Sequence, residues 1–127
     1  MRALLMLGSN QNAERQLATA LELLRARFVV LACSAVHQSA AAGGMEAPAY
    51  LNQAVIIVTD LQRSELKSAL RAIESELGRQ RPSADSRLCP IDIDSLAGWQ
   101  PDFCIWDAKS YESAYARAPL QDLHFSA

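Results

Sequence analysis

The sequence predicts an α+β sandwich, two helices packed on one face of an antiparallel sheet. Three observations carry that expectation. Compact apolar runs recur along the chain, each closed by turn-forming residues, as strands are. Two intervening segments place apolar residues at helical spacing. The order is β-α-β-β-α-β, and 127 residues suffice for one domain, residues 1–127, with a single hydrophobic core.

Met1 to Leu7 is an apolar run that stops at Gly8-Ser9-Asn10, a strand followed by a turn. Asn12 is suited to cap a helix, and from Ala13 to Arg27 the residues Leu17, Ala20, Leu21 and Leu24 share one face. Phe28 to Ala35 is rich in β-branched and apolar residues and reads as a second strand, followed by a loop of small residues from Gln38 to Ala49. Tyr50 to Thr59 is the clearest strand. Ser64 to Leu77 is a second amphipathic helix, with Leu66, Ala69, Leu70, Ile73 and Leu77 on one stripe, and Gly78 ends it. Arg79 to Pro90 is polar and irregular, and the last strand begins at Ile91. The order is that of a ferredoxin-like sandwich. Beyond Gly98 the expectation is an irregular tail, holding six of the eight aromatic residues.

Composition narrows the function. A formal net charge of −2 argues against a general nucleic-acid binder, because no excess of Lys and Arg exists to displace counterions. Three cysteines, Cys33, Cys89 and Cys104, are odd in number and none forms a C-x-x-C, which suits a reducing cytoplasm. The first apolar run is too short for a signal sequence, and no stretch is long enough to span a membrane. A cytoplasmic protein without membrane or nucleic-acid partners is expected.

The chemistry centres on Cys89-Pro90-Ile91-Asp92-Ile93-Asp94. Residues two apart in a strand share a face, so Asp92 and Asp94 set two carboxylates side by side. Such a pair repels unless a cation lies between, and hard oxygen donors suit Mg²⁺ held together with substrate phosphates. The plain alternative is the wet face of an edge strand. Arg79, Arg81 and Arg87 lie in the loop that returns into this strand, as a polyphosphate requires, although each alone is an ordinary solvated arginine. Neither G-x-x-x-x-G-K-[ST] nor G-x-G-x-x-G is present. Asn52 lies inside the best strand, where asparagine is disfavoured; it either satisfies a neighbouring backbone group or faces a flat heterocycle. The tail aromatics either stack on such a ring or fill a small core. His37 reads as a strand-end residue and His124 as a tail residue, neither with a partner at metal-ligand spacing.

Four blocks in order, Leu7-Gly8-Ser9-Asn10, Tyr50 to Val55, Ile73 to Arg81 and Ile91 to Asp94, resemble the 6-hydroxymethyl-7,8-dihydropterin pyrophosphokinase (HPPK) family of folate biosynthesis. The resemblance covers residues 1–96 and implies the same ferredoxin-like fold. It further implies Mg²⁺ on Asp92 and Asp94, ATP and a pterin as ligands, and transfer of pyrophosphate between them. Asn52, Tyr50 and Tyr115 would bind the pterin, and Glu74, Arg79, Arg81 and Arg87 the ATP. Asp92, Asp94, Arg79 and Arg81 would be catalytic.

The departures are specific. The family's W-G-P-R-T/S is here Ser86-Arg87-Leu88-Cys89-Pro90, so Cys89 falls at an arginine position. Aligned on Tyr115 and Pro119-Leu120, the family's later histidine falls on Asp107 and its arginine on Ser113. A lost arginine of this kind is worth about 10³–10⁵ in rate. Three readings therefore stay open. One is a working pyrophosphokinase in which Arg87 and Arg117 replace lost cations. Another is a divergent paralogue that binds a pterin or nucleotide without this turnover. The third is a non-catalytic interaction module, a homo-oligomer being its simplest form.

Overall fold

A computed structural model describes residues 1–40, 47–83 and 85–123. Its elements run β1 (Arg2–Ser9), α1 (Ala13–Arg27), β2 (Val29–Cys33), β3 (His37–Ser39), β4 (Tyr50–Val58), α2 (Arg63–Glu76), β5 (Asp92–Trp99), β6 (Phe103–Ile105), α3 (Ala108–Tyr111) and α4 (Ala114–Leu123). The six-stranded sheet has the order β2-β4-β1-β5-β6, with β3 also paired to β4. Every neighbouring pair is antiparallel. With β2 and β3 taken as one interrupted strand, the expected βαββαβ order holds as far as β5.

β1 is central, with β4 on one side and β5 on the other. Residues Ala3 to Ser9 are accordingly all buried, as the unbroken apolar run requires of a strand covered on both faces. Leu5, Leu7, Val55, Ile57 and Ile93 pack on Leu17, Leu24, Leu66, Leu70 and Ile73 of α1 and α2. Each such side chain contributes about 1.5–3 kcal/mol by leaving water. Leu4, Met6, Ala54, Ile56 and Leu96 face the other way, where Ala116 of α4 and the tail aromatics cover them.

Three local expectations are corrected. The second strand is broken rather than continuous to Ala35, because Ser34 caps the break: its backbone N–H donates to Ala54 O at 2.8 Å and its Oγ accepts from Ala54 N at 2.9 Å. Asn12 occupies the position before α1 but makes no side-chain cap bond; its backbone is left-handed, at φ 51°, a conformation asparagine tolerates. The tail is not irregular. Ala116, Pro119, Leu120 and Leu123 recur at i, i+3, i+4 and i+7, and that stripe makes α4 the cover of the sheet's second face. The interior Pro119 masks the pattern, since proline is rare inside helices. A latch at the sheet edge holds α4: His37 Nε2 lies 2.6 Å from Asp122 Oδ2, which also accepts from Ala35 N at 3.1 Å. Of the loop expected over Gln38–Ala49, Gln38 and Ser39 instead close β3, paired to β4, residues 41–46 lie outside the described residues, and so does His124.

Candidate active site

Register decides what the acidic pair faces. Gly8 of β1 stands opposite Asn52 on β4 and Asp92 on β5, and Met6 stands opposite Ala54 and Asp94. Asn52, Gly8 and Asp92 thus form one row across three strands, with Asp94 in the next row, all on the face away from α1 and α2. Gly8 leaves the floor of this row open. A Cβ there would lie 3.3 Å from Asn52 Oδ1 and 3.7 Å from the Tyr50 ring. Above the floor is a cavity of about 380 Å³, walled by Met6, Tyr50, Asn52, Tyr115, Asp92 and Asp94 among others. Asn52 is buried, with Nδ2 donating to Ser39 Oγ at 2.8 Å. Burial, followed by the neighbouring Cys89, pushes the Tyr50 hydroxyl up to about 12, so it remains a hydrogen-bonding group. The Cys89 thiol is raised by burial as well, which keeps it protonated and unreactive.

On the other side of the pair, the arginines are placed by the end of α2. Gly78 takes the left-handed conformation, φ 95°, that only glycine adopts freely. Gly78 N donates to Ser75 O at 3.1 Å and Arg79 N to Glu74 O at 3.0 Å, the two bonds of a Schellman cap. That reversal folds Arg79 and Arg81 back over Glu74. Glu74 is 3% exposed and fully engaged: Oε2 accepts from Ile93 N at 2.7 Å and lies 3.5 Å from Arg79 Nη1, while Oε1 accepts from Arg81 Nη2 at 3.0 Å. Arg79 Nη1 also donates to Asp92 Oδ1 at 2.6 Å and to Ile91 O at 3.0 Å. One buried carboxylate thus ties α2 to β5 and holds two arginines, of which Arg79 reaches Asp92.

The Gly8-Ser9-Asn10 turn has its own task. Asn10 Nδ2 donates to Arg87 O at 2.7 Å, and its Oδ1 accepts from Cys89 N at 2.6 Å. Ser9 Oγ donates to Pro90 O at 2.6 Å. These bonds fasten the loop before β5 to the end of β1 and fix where the acidic strand begins.

Between α2, β5 and α3 lies a larger cavity of about 1010 Å³, which contains Asp92, Asp94, Glu74, Arg79 and Arg81. Among the described residues, the two cavities share Asp92 and Asp94 and nothing else. Burial, then the charge and hydrogen bond of Asp92, then Glu74 and Asp107, push the Asp94 carboxyl up to about 8. Without a cation the site therefore resists its own second negative charge, which fits a seat for a hard divalent ion. Among the described residues no group of three or more His, Cys, Asp or Glu is arranged to hold a metal. A pair alone suits Mg²⁺, which keeps waters and takes further oxygens from substrate phosphates.

Of the residues expected from sequence, Asp92, Asp94, Glu74, Arg79 and Arg81 come together at the larger cavity, and Tyr50, Asn52 and Tyr115 at the smaller. Arg87, expected beside the nucleotide, lines the smaller cavity and pairs with Asp85 at 3.1 Å. Arg117 lies exposed on α4 and lines neither. Asp107 caps α3, its Oδ1 accepting from Ser110 N at 3.0 Å, and borders the larger cavity. Sequence reasoning missed Trp106, Arg63, Lys67, Arg71 and Lys109 there. The spacing of 63, 67 and 71 was the available signal, three cations on one ridge of α2. Among the described residues, no helix is long and apolar enough to cross a membrane.

The family model of 7,8-dihydro-6-hydroxymethylpterin-pyrophosphokinase (HPPK) matches residues 4–125, including the tail that departs most from the motif pattern. A glycine-floored cavity, a buried glutamate holding two arginines and an acidic pair between two cavities all fall within that match. The chain belongs to the HPPK family, whose general role is that of a pyrophosphokinase in folate biosynthesis.

Proposed function

We propose that this chain catalyses Mg²⁺-dependent transfer of the terminal pyrophosphoryl group of ATP to the hydroxymethyl oxygen of 6-hydroxymethyl-7,8-dihydropterin. The observation that carries this reading is the position of Asp92 and Asp94, common to a small cavity and a large one. A flat bicyclic ligand suits the small cavity, where Asn52 offers an amide edge and Tyr50 and Tyr115 offer rings. A nucleoside triphosphate suits the large one, with its arginines. Mg²⁺ on Asp92 and Asp94 would supply charge neutralisation at the phosphates between them.

The protein's part is alignment. The hydroxymethyl oxygen attacks the β-phosphorus, the bridging α,β oxygen leaves on AMP, and the hydroxyl proton passes to water. Asn52 holds the pterin, its carbonyl facing the Gly8 floor. Arg79 and Arg81, anchored on Glu74, neutralise charge that grows on the equatorial oxygens. Such positioning accounts for much of the acceleration in phosphoryl transfer, where little covalent work falls to the protein.

The test is AMP release from ATP with and without the pterin. AMP is expected only with both substrates and Mg²⁺, and Asp92→Ala or Asp94→Ala should lower the rate by roughly 10³-fold. AMP no higher than that of the double alanine variant would end the catalytic reading. A second reading, ligand binding without turnover, is favoured by Cys89 and Ser113 standing where the family carries arginines and Asp107 where it carries a histidine. It predicts calorimetric binding of Mg·ATP and of the pterin with no AMP.

A further inference from the structure

Three cations of the larger cavity have no assigned role. Lys67 and Arg71 project from α2, and Lys109 from α3 on the facing wall. Among the described residues none of the three forms an ion pair. The other cations of the cavity are engaged. Arg79 and Arg81 hold Glu74 and Asp92, while Arg63 lies 5.3 Å from the Trp106 ring centroid and donates to Trp106 O at 2.9 Å. Among the described residues the wall thus carries six cations against four carboxylates, a positive excess that a divalent ion would increase. A polyanion is the complementary ligand.

The arrangement has direction. Arg63, Lys67 and Arg71 follow i, i+4, i+8 along one ridge of α2, a spacing at which like charges weaken a helix. Arg71 lies one turn before Glu74, which holds the arginines beside Asp92, and Lys67 lies one turn further out. Arg63 and Trp106 close the outer end. An ordinary solvated helix face would carry acidic partners at this spacing, and this ridge carries none before Glu74.

We infer that Lys67, Arg71 and Lys109 form the polyphosphate clamp of this chain, taking over work for which arginines are missing at Cys89 and Ser113. The inference rests on the reading of the larger cavity as the ATP site. Arg71 engages the phosphates nearest the acidic pair, and Lys67 and Lys109 engage the chain from opposite walls.

Calorimetry at fixed Mg²⁺ tests this with ATP and AMP as probes. Arg71→Ala, Lys67→Ala and Lys109→Ala should each weaken ATP binding about tenfold, as lost charge-assisted hydrogen bonds do. AMP and pterin affinities should stay within about twofold of the unsubstituted protein, and Arg71→Lys should recover most of the loss. The slope of ATP affinity against salt should also flatten in each alanine variant. All three side chains are exposed, so the variants are expected to fold, with pterin binding as the control. If the unsubstituted protein binds Mg·ATP and the variants keep its ATP-to-AMP affinity ratio, the clamp is refuted while the ATP site stands. If the unsubstituted protein binds the pterin but no Mg·ATP, the ATP site itself falls, and the clamp with it.

Discussion

On one side of Asp92 and Asp94 the walls are mostly strands, and on the other they are helix surfaces and loops. The smaller cavity takes its floor from Gly8 and its amide from Asn52, fixed by the pairing of β1 with β4, and one ring from Tyr50, fixed by the pairing of β3 with β4. Such groups cannot move without moving the sheet, which suits a rigid ligand with a fixed hydrogen-bonding edge. The larger cavity takes its cations from the exposed faces of α2 and α3 and from the loop after Gly78. Long side chains on those elements can follow a flexible, highly charged ligand. The difference separates recognition by shape from recognition by charge, with the acidic pair as the boundary between them.

The largest expected effect lies on that boundary. Asp94 has its carboxyl raised to about 8, by burial first and Asp92 second, against about 4 in an unfolded chain. The metal-free folded state therefore holds a proton that the unfolded chain releases. Between about pH 4 and pH 8 its stability falls as pH rises, by several kcal/mol across the window. Urea titrations from pH 5 to 8 should show this decline, and Asp94→Asn should flatten it. Mg²⁺ should stabilise the protein more at pH 8 than at pH 5, and should do little for Asp94→Asn. A stability that rises from pH 5 to 8 in the metal-free protein would contradict the assigned direction.

The two sides also differed in how far the sequence disclosed them. Asn52, Asp92 and Asp94 were legible because strand alternation assigns a face to each residue, and a polar residue in an apolar strand stands out, whereas Tyr50 came only with the resemblance. Arg79 and Arg81 were legible from the loop that returns into the acidic strand, Glu74 only through resemblance, and the structure supplies the cause, a Schellman turn at Gly78 that folds the arginines back. Lys67, Arg71 and Lys109 were missed, although the spacing of 63, 67 and 71 put three cations on one ridge of α2. A basic residue on an exposed helix face is the ordinary case, and only the tertiary fold shows which faces overlook a cavity. The tail misled for a different reason. Its helical stripe was present, but Pro119 and the clustered aromatics spoke for irregular chain.

A substitution at Glu74 separates the two sides. This carboxylate is buried, and Glu74→Ala leaves Ile93 N–H and Arg81 without their partner and Arg79 held by Asp92 and Ile91 O alone. Removing one member of a buried charged network costs about 3–5 kcal/mol, and urea denaturation should report a loss in that range. Wherever the variant remains folded, ATP affinity should fall with it. Asn52 contacts none of these groups, so pterin affinity should change far less. Equal losses of ATP and pterin binding would show that the two cavities are mechanically one.

The converse experiment is Asn52→Ala, with the smallest effect and the most selective one. The amide's bond to Ser39 Oγ contributes about 1 kcal/mol to stability, so the fold survives its loss. What the site loses is an oriented donor and acceptor beside the Gly8 floor, in a buried position where water substitutes poorly. The KM for the pterin should rise about tenfold, while the KM for ATP should stay within about twofold. Asn52→Asp sharpens the test, because it keeps the shape and the acceptor but adds a negative charge near Asp92. If pterin affinity depends on the amide N–H, Asp should be as harmful as Ala; if only the acceptor matters, Asp should bind better than Ala. An unchanged pterin KM in both variants would remove Asn52 from the pterin site and leave it a purely structural asparagine joining β3 to β4.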